Sequence, residues 1–230
     1  MSGKALVNPL DHPVWHALTS TQGALAQGGA LARRYPPDIA PFADMADMSP
    51  ESFAALGALM APSDYVVRFT PEAVSPPAAF KVLLARTGEQ MIGTPADAPG
   101  TAEIVRLGAA DVPEMMELTK LTNPGPFAAR THELGNFLGI RAGGQLVAMA
   151  GERMKPGNHT EITAVCVHPD HRGRGHAQAL LGAAARGIVA RGETPFLHVF
   201  SDNDGAIALY RRQGMEIRRR LYVTVLGKAA

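Results

Sequence analysis

The sequence predicts a mixed α/β (α+β) fold, and three observations in its second half carry that expectation. Beyond about residue 100, short β-branched runs alternate with amphipathic helical runs. Gly143-Gly144 separates two strand-like runs, Phe137 to Ala142 and Leu146 to Glu152, as in a hairpin. A strand, a Pro-containing turn and a Gly-rich helix start then succeed one another in TEITAVCVHPDHRGRGHAQALL, Thr160 to Leu181.

Each element has a local reason. Glu103 to Leu107 reads as a strand, and Asp111 caps a helix with Val112, Met115, Met116 and Leu118 turned inward. Pro and Gly crowd Leu121 to Phe127 and break that helix. Glu161 to Val167 is a third strand, and His176 to Arg191 a helix with Ala177, Leu180, Leu181, Ala184 and Ile188 on one stripe. Phe196 to Phe200 reads as a buried-type strand, Asn203 to Gln213 as a helix ended by Gly214, and Met215 to Leu226 as a closing strand or two.

The first half is less patterned. His12 to Ala26 is expected to be helical, with Trp15, Leu18 and Leu25 inward. Ser49-Pro50-Glu51 starts a second helix that carries Phe53, Leu56, Leu59 and Met60. Tyr65 to Phe69 and Phe80 to Ala85 read as short strands. Thr94 to Gly100, with two Pro and a Gly, is the expected linker, which divides the chain into an N-terminal module over 1–98 and a second domain over 101–230. No reactive constellation lies in the first half, so it reads as a packed module that buttresses or dimerises the other.

Composition narrows the function. The 230 residues hold 22 Lys+Arg against 21 Asp+Glu, a net charge of +1, which argues against a general nucleic-acid binder. With 46% hydrophobic and 19% charged residues, a mainly disordered chain is excluded. A single Cys rules out an intrachain disulfide framework and a CxxC metal site. The start, MSGKALVNPLDHPVW, lacks the apolar core of a signal peptide, and no apolar run approaches about 18 residues, so a cytoplasmic location away from membrane is expected. The charge is split: residues 1–100 hold 6 Lys+Arg and 9 Asp+Glu, and residues 101–230 hold 16 and 12.

The chemistry concentrates after Val167. Gly173 and Gly175 let the backbone turn its N–H groups inward at the positive end of the following helix, and Arg172 and Arg174 add charge. That combination suits a phosphate or pyrophosphate. A third glycine for a dinucleotide fingerprint is missing, as is any GxxxxGK string. His159, His168, His171 and His176 straddle the turn without HExxH spacing, so no metal is expected. Cys166, without a paired His, reads as a small core residue.

The spacing Arg172-x-x-Gly175-x-Ala177 resembles the acetyl-CoA signature of the GNAT superfamily of N-acetyltransferases. Asn203-x-x-Ala206-x-x-x-Tyr210-x-x-x-Gly214-Met215 resembles its second segment, with Met215 where Phe is more usual. The resemblance covers about residues 103 to 226. AVCVHP, GETPFLHV and the Arg218-Arg219-Arg220 run look like a bacterial subgroup with an extra N-terminal segment, related to the glycine-acyltransferase-like branch.

The resemblance implies a central mixed, mostly antiparallel sheet flanked by helices, and an acyltransferase of the EC 2.3.1 type with acetyl-CoA as co-substrate. Its acceptor would be a small-molecule or peptide primary amine, attacking directly in a ternary complex. Val165 and Val167 would pair with the pantetheine arm, with a strand amide such as that of Val165 meeting the developing oxyanion. The amides of Gly173, Arg174, Gly175, His176 and Ala177 would hold the pyrophosphate beside Arg172. Asn203 would lie near the sulfur, and Tyr210 would protonate the departing thiolate. Glu161, acting directly or through a water, is the expected base, with Glu152 in reserve or a water alone, because only a neutral amine can attack. Phe127 and Arg130 would line the acceptor site. The alternative is a catalytically silent CoA-binding sensor or protein-interaction module, and a homodimer is left open.

Overall fold

The computed structural model describes residues 8–96 and 102–229; most of the expected linker, and both edges of the expected boundary at 98 and 101, lie outside the described residues. The first half contributes α1 (Pro13–Thr19), a small sheet of β1 (Gln27–Gly28), β2 (Ala32–Arg34) and β3 (Ala43–Met45), then α2 (Pro50–Ala58), β4 (Tyr65–Thr70) and β5 (Phe80–Ile92). The second contributes β6 (Ile104–Leu107), α3 (Val112–Thr122), β7 (Phe137–Ala142), β8 (Gln145–Glu152), β9 (His159–Val167), α4 (His176–Val189), β10 (Thr194–Phe200), α5 (Asp204–Arg212) and β11 (Glu216–Lys228).

Eight strands form one sheet in the order β4-β11-β5-β10-β9-β8-β7-β6, with β10 and β9 parallel and the other neighbours antiparallel. The mostly antiparallel sheet that the resemblance implies is therefore present. The separate N-terminal module is not. β5 is wedged between β10 and β11, pairing Ile92 with Phe196 on one side and Gly88 with Leu221 on the other. The first half thus supplies two strands of the common sheet. β5 also runs seven residues beyond the strand expected over Phe80 to Ala85, through RTGEQMI at 86–92. Gly88, Glu89 and Gln90 have low intrinsic preference for strand, and hydrogen bonding on both edges overrides it.

The two faces of the sheet are covered differently. Leu181, Ala184 and Ile188 of α4, with Ile207 of α5, pack on one face against Ile162, Leu197 and Val199, and Leu180 packs against Ile140, Val147 and Ala150. On the other, Met115 and Leu118 of α3 cover Phe137 and Met149, while Val14 and Leu18 of α1 with Tyr35, Ile39 and Phe42 cover Phe196, Leu221 and Val223. Local signals decide most element ends. Ser49 accepts from the Ser52 amide at 3.2 Å at the start of α2. Gly143 and Gly144, at φ 57° and 88°, form the β7–β8 turn.

Three expectations change in detail. α1 stops at Thr19, leaving Trp15 half-buried and the Gln22 side chain free to bond the Arg153 carbonyl at 2.8 Å. Asp111 does not cap α3 with its side chain; its carboxylate accepts from the Gly108 amide and pairs with Arg141. Met116 faces outward. In the Arg218-Arg219-Arg220 run, Arg218 and Arg219 pair with Asp11, and the exposed Arg220 pairs with Glu89.

Candidate active site

β9 and β10 run side by side but pair only at His159–Thr194, Thr160–Pro195 and Glu161–Phe196. Both strands continue, to Val167 and Phe200, without further pairing between them. β9 carries one extra residue between its pairs Thr163–Gly151 and Cys166–Met149, and Ala164 takes the left-handed φ of 52° there. Such a bulge bends the strand and re-aims the residues beyond it. The outcome is a fork, closed at Glu161 and open toward Val165 and Val167, which are half-buried. A backbone edge left unpaired in this way offers amide and carbonyl groups to an extended ligand.

The open end leads into the glycine turn. Gly173 and Gly175 take φ of 73° and 77°, angles that side chains with a Cβ adopt at a cost, and space around both is open. Among the described residues, no acceptor meets the amides of Gly173, Arg174, Gly175, His176 or Ala177; Ala179 is the first amide of this helix start to bond back, to Gly175 at 3.0 Å. Arg172 and Arg174 are exposed beside these donors, Arg174 also touching the Asp170 carbonyl at 3.2 Å. Five free amides at the positive end of a 14-residue helix, flanked by two guanidinium groups, fit a diphosphate.

α5 starts on the other side of the fork. Asn203 is exposed and accepts from the Ala206 amide at 3.2 Å, so one end of its side chain serves as the helix cap. Beside it, Arg86 of β5 lies 4.0 Å over the Phe200 ring and pairs with Asp202. Tyr210 packs against the apolar cluster under α4 and α5. Burial pushes its phenol up to about 12, and the hydroxyl bonds to none of the described residues. It therefore holds its proton at neutral pH.

At the closed end of the fork lies a sealed polar network. Glu161 is fully buried, with its carboxylate taking both Arg153 Nε and Nη2 at 2.7 Å and His198 Nδ1 at 2.7 Å. Burial by itself would raise its pKa, but the Arg153 charge and the Arg153 and His198 hydrogen bonds hold it at about 2. A carboxylate so engaged is a poor proton acceptor, which corrects the expectation of Glu161 as the direct base. Glu152 fares no better. It is buried on the α4 side, paired with Lys155 at 2.9 Å and Arg191 at 3.0 Å, and its pKa is lowered because those charges and Asn136 outweigh burial.

Phe127 and Arg130 have different surroundings. Phe127 meets Phe137 edge-on at 5.7 Å and lines a cavity of about 260 Å³ together with Pro126, Pro37, Arg34, Asp64 and Tyr65. Arg130 instead forms a two-pronged pair with Glu133 and reaches Asp38 at 3.1 Å, so it ties the loop to the N-terminal half and is not free for a substrate carboxylate. Cys166 is buried, and desolvation raises its thiol to about 11, in keeping with a core role.

Val165 and Tyr210 pack against one apolar cluster, Val167 leads into the Arg172 to Ala177 turn, and Asn203 follows the end of β10, while Glu161, Glu152 and Arg130 are held in ion pairs. Sequence reasoning missed Arg153, His198 and Gln90. His198 carried a signal: it is a polar residue within a strand that otherwise reads as buried.

Comparison with known proteins agrees with this architecture. The profile of the FR47-like protein family matches residues 137–223. The N-alpha-acetyltransferase RimI of Mycobacterium tuberculosis (strain ATCC 25618 / H37Rv) is 38% identical over 110 residues, covering 44% of this chain and 68% of that relative. A crystal structure assigned to the GNAT family, from Novosphingobium aromaticivorans DSM 12444, is 40% identical with a TM-score of 0.89, covering 97% of this chain and 100% of that one. A GCN5-related N-acetyltransferase from Kribbella flavida shares the fold at 17% identity, with a TM-score of 0.61 and coverage of 94% and 95%. None of these names the glycine-acyltransferase-like branch. Among the described residues, no helix is long and apolar enough to cross a membrane. The chain belongs to the GNAT family and is an N-acetyltransferase.

Proposed function

We propose that the chain moves the acetyl group of acetyl-CoA to a primary amine by direct attack in a ternary complex. The observation that carries this reading is the fork between β9 and β10 opening onto five unbonded amides. Acetyl-CoA supplies an activated thioester. The unpaired backbone of Val165 and Val167 holds the extended arm, and the amides of Gly173 to Ala177 hold the diphosphate, with Arg172 and Arg174 neutralising it. Asn203, capping α5 through its oxygen, offers its remaining amide hydrogens near the sulfur. The Tyr210 hydroxyl, protonated at neutral pH, gives its proton to the departing thiolate. Glu161 fixes the closed end of the fork and does not touch the amine.

This division favours one class of acceptor. With Glu161 and Glu152 both held in ion pairs, the amine must arrive neutral or lose its proton to water. An α-amine, with a pKa of roughly 8, is about a quarter neutral at pH 7.5, whereas a lysine amine near 10.4 is neutral to only about one part in a thousand. The α-amine is therefore the better substrate, in line with the name N-alpha-acetyltransferase carried by the mycobacterial relative. The cavity beside Phe127 suits the acceptor's remote part. We further propose a cytoplasmic location.

The test is thiol release from acetyl-CoA with a panel of α-amines, peptide N-termini and lysine-like amines. Release with the α-amine members first is the expected result. No release with any amine, together with no calorimetric binding of acetyl-CoA, overturns the proposal. Binding without release identifies a silent cofactor sensor instead.

A further inference from the structure

The fork has a latch at its closed end. Glu161 and Phe196 are the last residues of β9 and β10 that pair through the backbone. Two residues further along β10, His198 reaches back across the split and places Nδ1 2.7 Å from Glu161 Oε1. That side-chain bond is a link between the two strands on the diverging side of the last backbone pair.

The imidazole is held from every direction. Its other nitrogen, Nε2, lies 3.0 Å from Gln90 Nε2 on β5. Gln90's oxygen accepts from Arg218 at 2.7 Å, which fixes the amide so that its nitrogen faces the ring, while the second amide hydrogen goes to the Leu10 carbonyl at 2.8 Å. Gln90 therefore donates to Nε2, and the ring proton sits on Nδ1, directed at Glu161. Phe69 stacks on one side of the ring at 4.3 Å, and Phe196 meets its edge at 5.6 Å. Glu161 is pinned in turn by Arg153, whose guanidinium lies 4.4 Å over Phe42.

We propose that His198 is a positioning residue for the cofactor: by bridging Glu161 on β9 and Gln90 on β5, it sets the gap between β9 and β10 into which the arm of CoA enters. This rests on the proposal above that CoA occupies the fork. Its physical basis is preorganisation. A bulged strand with no backbone partner on one edge samples several separations unless something fixes it, and a ligand that must first fix it binds more weakly. The partners that build the latch come from the N-terminal half, through Gln90 and the cover of Phe69 and Leu10, which gives that half a role in cofactor binding without touching the cofactor.

Two polar replacements separate the bonds of the ring. In His198→Asn the side-chain amide falls near the position of Nδ1 and keeps a donor for Glu161. In His198→Gln it falls near Nε2 and keeps the Gln90 side. Calorimetry with coenzyme A alone, paired with thermal melting of each variant, reads binding apart from catalysis. The expected result is a Kd for CoA raised about tenfold in His198→Gln and by less than about threefold in His198→Asn, with similar losses of melting temperature. If His198→Gln does not fold, His198→Phe, which keeps the ring on Phe69 and loses the same bond, takes its place with the same expected loss.

Affinity unchanged in both variants despite lowered melting temperatures makes His198 a packing residue and overturns the inference. Equal loss in both variants also overturns it, since the bond to Glu161 would then not be what matters. Failure of the unaltered protein to bind CoA speaks against the proposed function itself and is read separately from either outcome.

Discussion

The two ends of β9 belong to one strand and meet different fates. At Glu161 the strand is hydrogen-bonded on both edges, and its inward side chain is locked into Arg153 and His198 under the N-terminal half. Six residues on, at Val167, one edge is free, the strand has been bent at Ala164, and the chain runs into amides that none of the described residues satisfies. The difference shows how a single strand divides labour. Buried charge fixes geometry at the closed end, and unspent backbone hydrogen bonds remain at the open end, available to a ligand. The charge asymmetry of the sequence obeys the same division, since Arg172 and Arg174 stand at the open end while Asp11 and Glu89 are consumed by Arg218 to Arg220.

Breaking the closed end carries the largest cost. Arg153→Leu leaves the Glu161 carboxylate buried without its main counter-charge, and the expected loss is about 3–5 kcal/mol of unfolding free energy, read by denaturant titration. A loss below about 1 kcal/mol would mean that the pair is solvated and that the two ends of β9 are not so different after all. The same pair has a pH signature. Glu161 sits at about 2 in the folded protein against an ordinary 4.5, so its contribution is complete at neutral pH and is lost as pH falls from about 4.5 toward 2. That gap corresponds to roughly 3 kcal/mol. Unfolding measured across this window should therefore be steeper in the unaltered protein than in Glu161→Gln.

At the open end the expected effects fall on chemistry and binding. Tyr210→Phe removes the proton given to the thiolate while keeping the ring in its apolar cluster, so turnover should fall by about a hundredfold with CoA affinity nearly unchanged. Loss of affinity at unchanged turnover would make Tyr210 a packing residue. Gly175→Val is the mildest of the set. A β-branched residue at φ 77° costs about 1–2 kcal/mol, enough to weaken CoA binding by about tenfold with little change in melting temperature. Equal losses in affinity and stability would put the strain in the helix itself rather than in the amide cradle.

Much of the open end was legible in the sequence because it is built locally. Glycines at 173 and 175, the arginines beside them and the amphipathic helix after them lie within one continuous stretch, and Asn203 to Tyr210 within another. Their arrangement depends on short-range geometry, so spacing reveals it. The closed end depends on contacts distant in sequence: Gln22 with Arg153, Gln90 with His198, Arg218 with Asp11. Nothing local marks Gln90 as the partner of a histidine more than a hundred residues away. The insertion of β5 between β10 and β11 was hidden for the same reason, since its polar GEQ stretch becomes strand only when two neighbours bond it. Ala164 is a further case, because its left-handed backbone is imposed by the register of β8 and is not favoured by alanine.

The most direct test of the account is a titration of the ¹⁵N-labelled protein with CoA, followed through its backbone amide spectrum. The amides of Val165, Val167 and Gly173 to Ala177 should shift most, while those around Glu161 and Arg153 stay in place. Tight binding that leaves the Gly173 to Ala177 amides unmoved, with the largest shifts elsewhere, would contradict it.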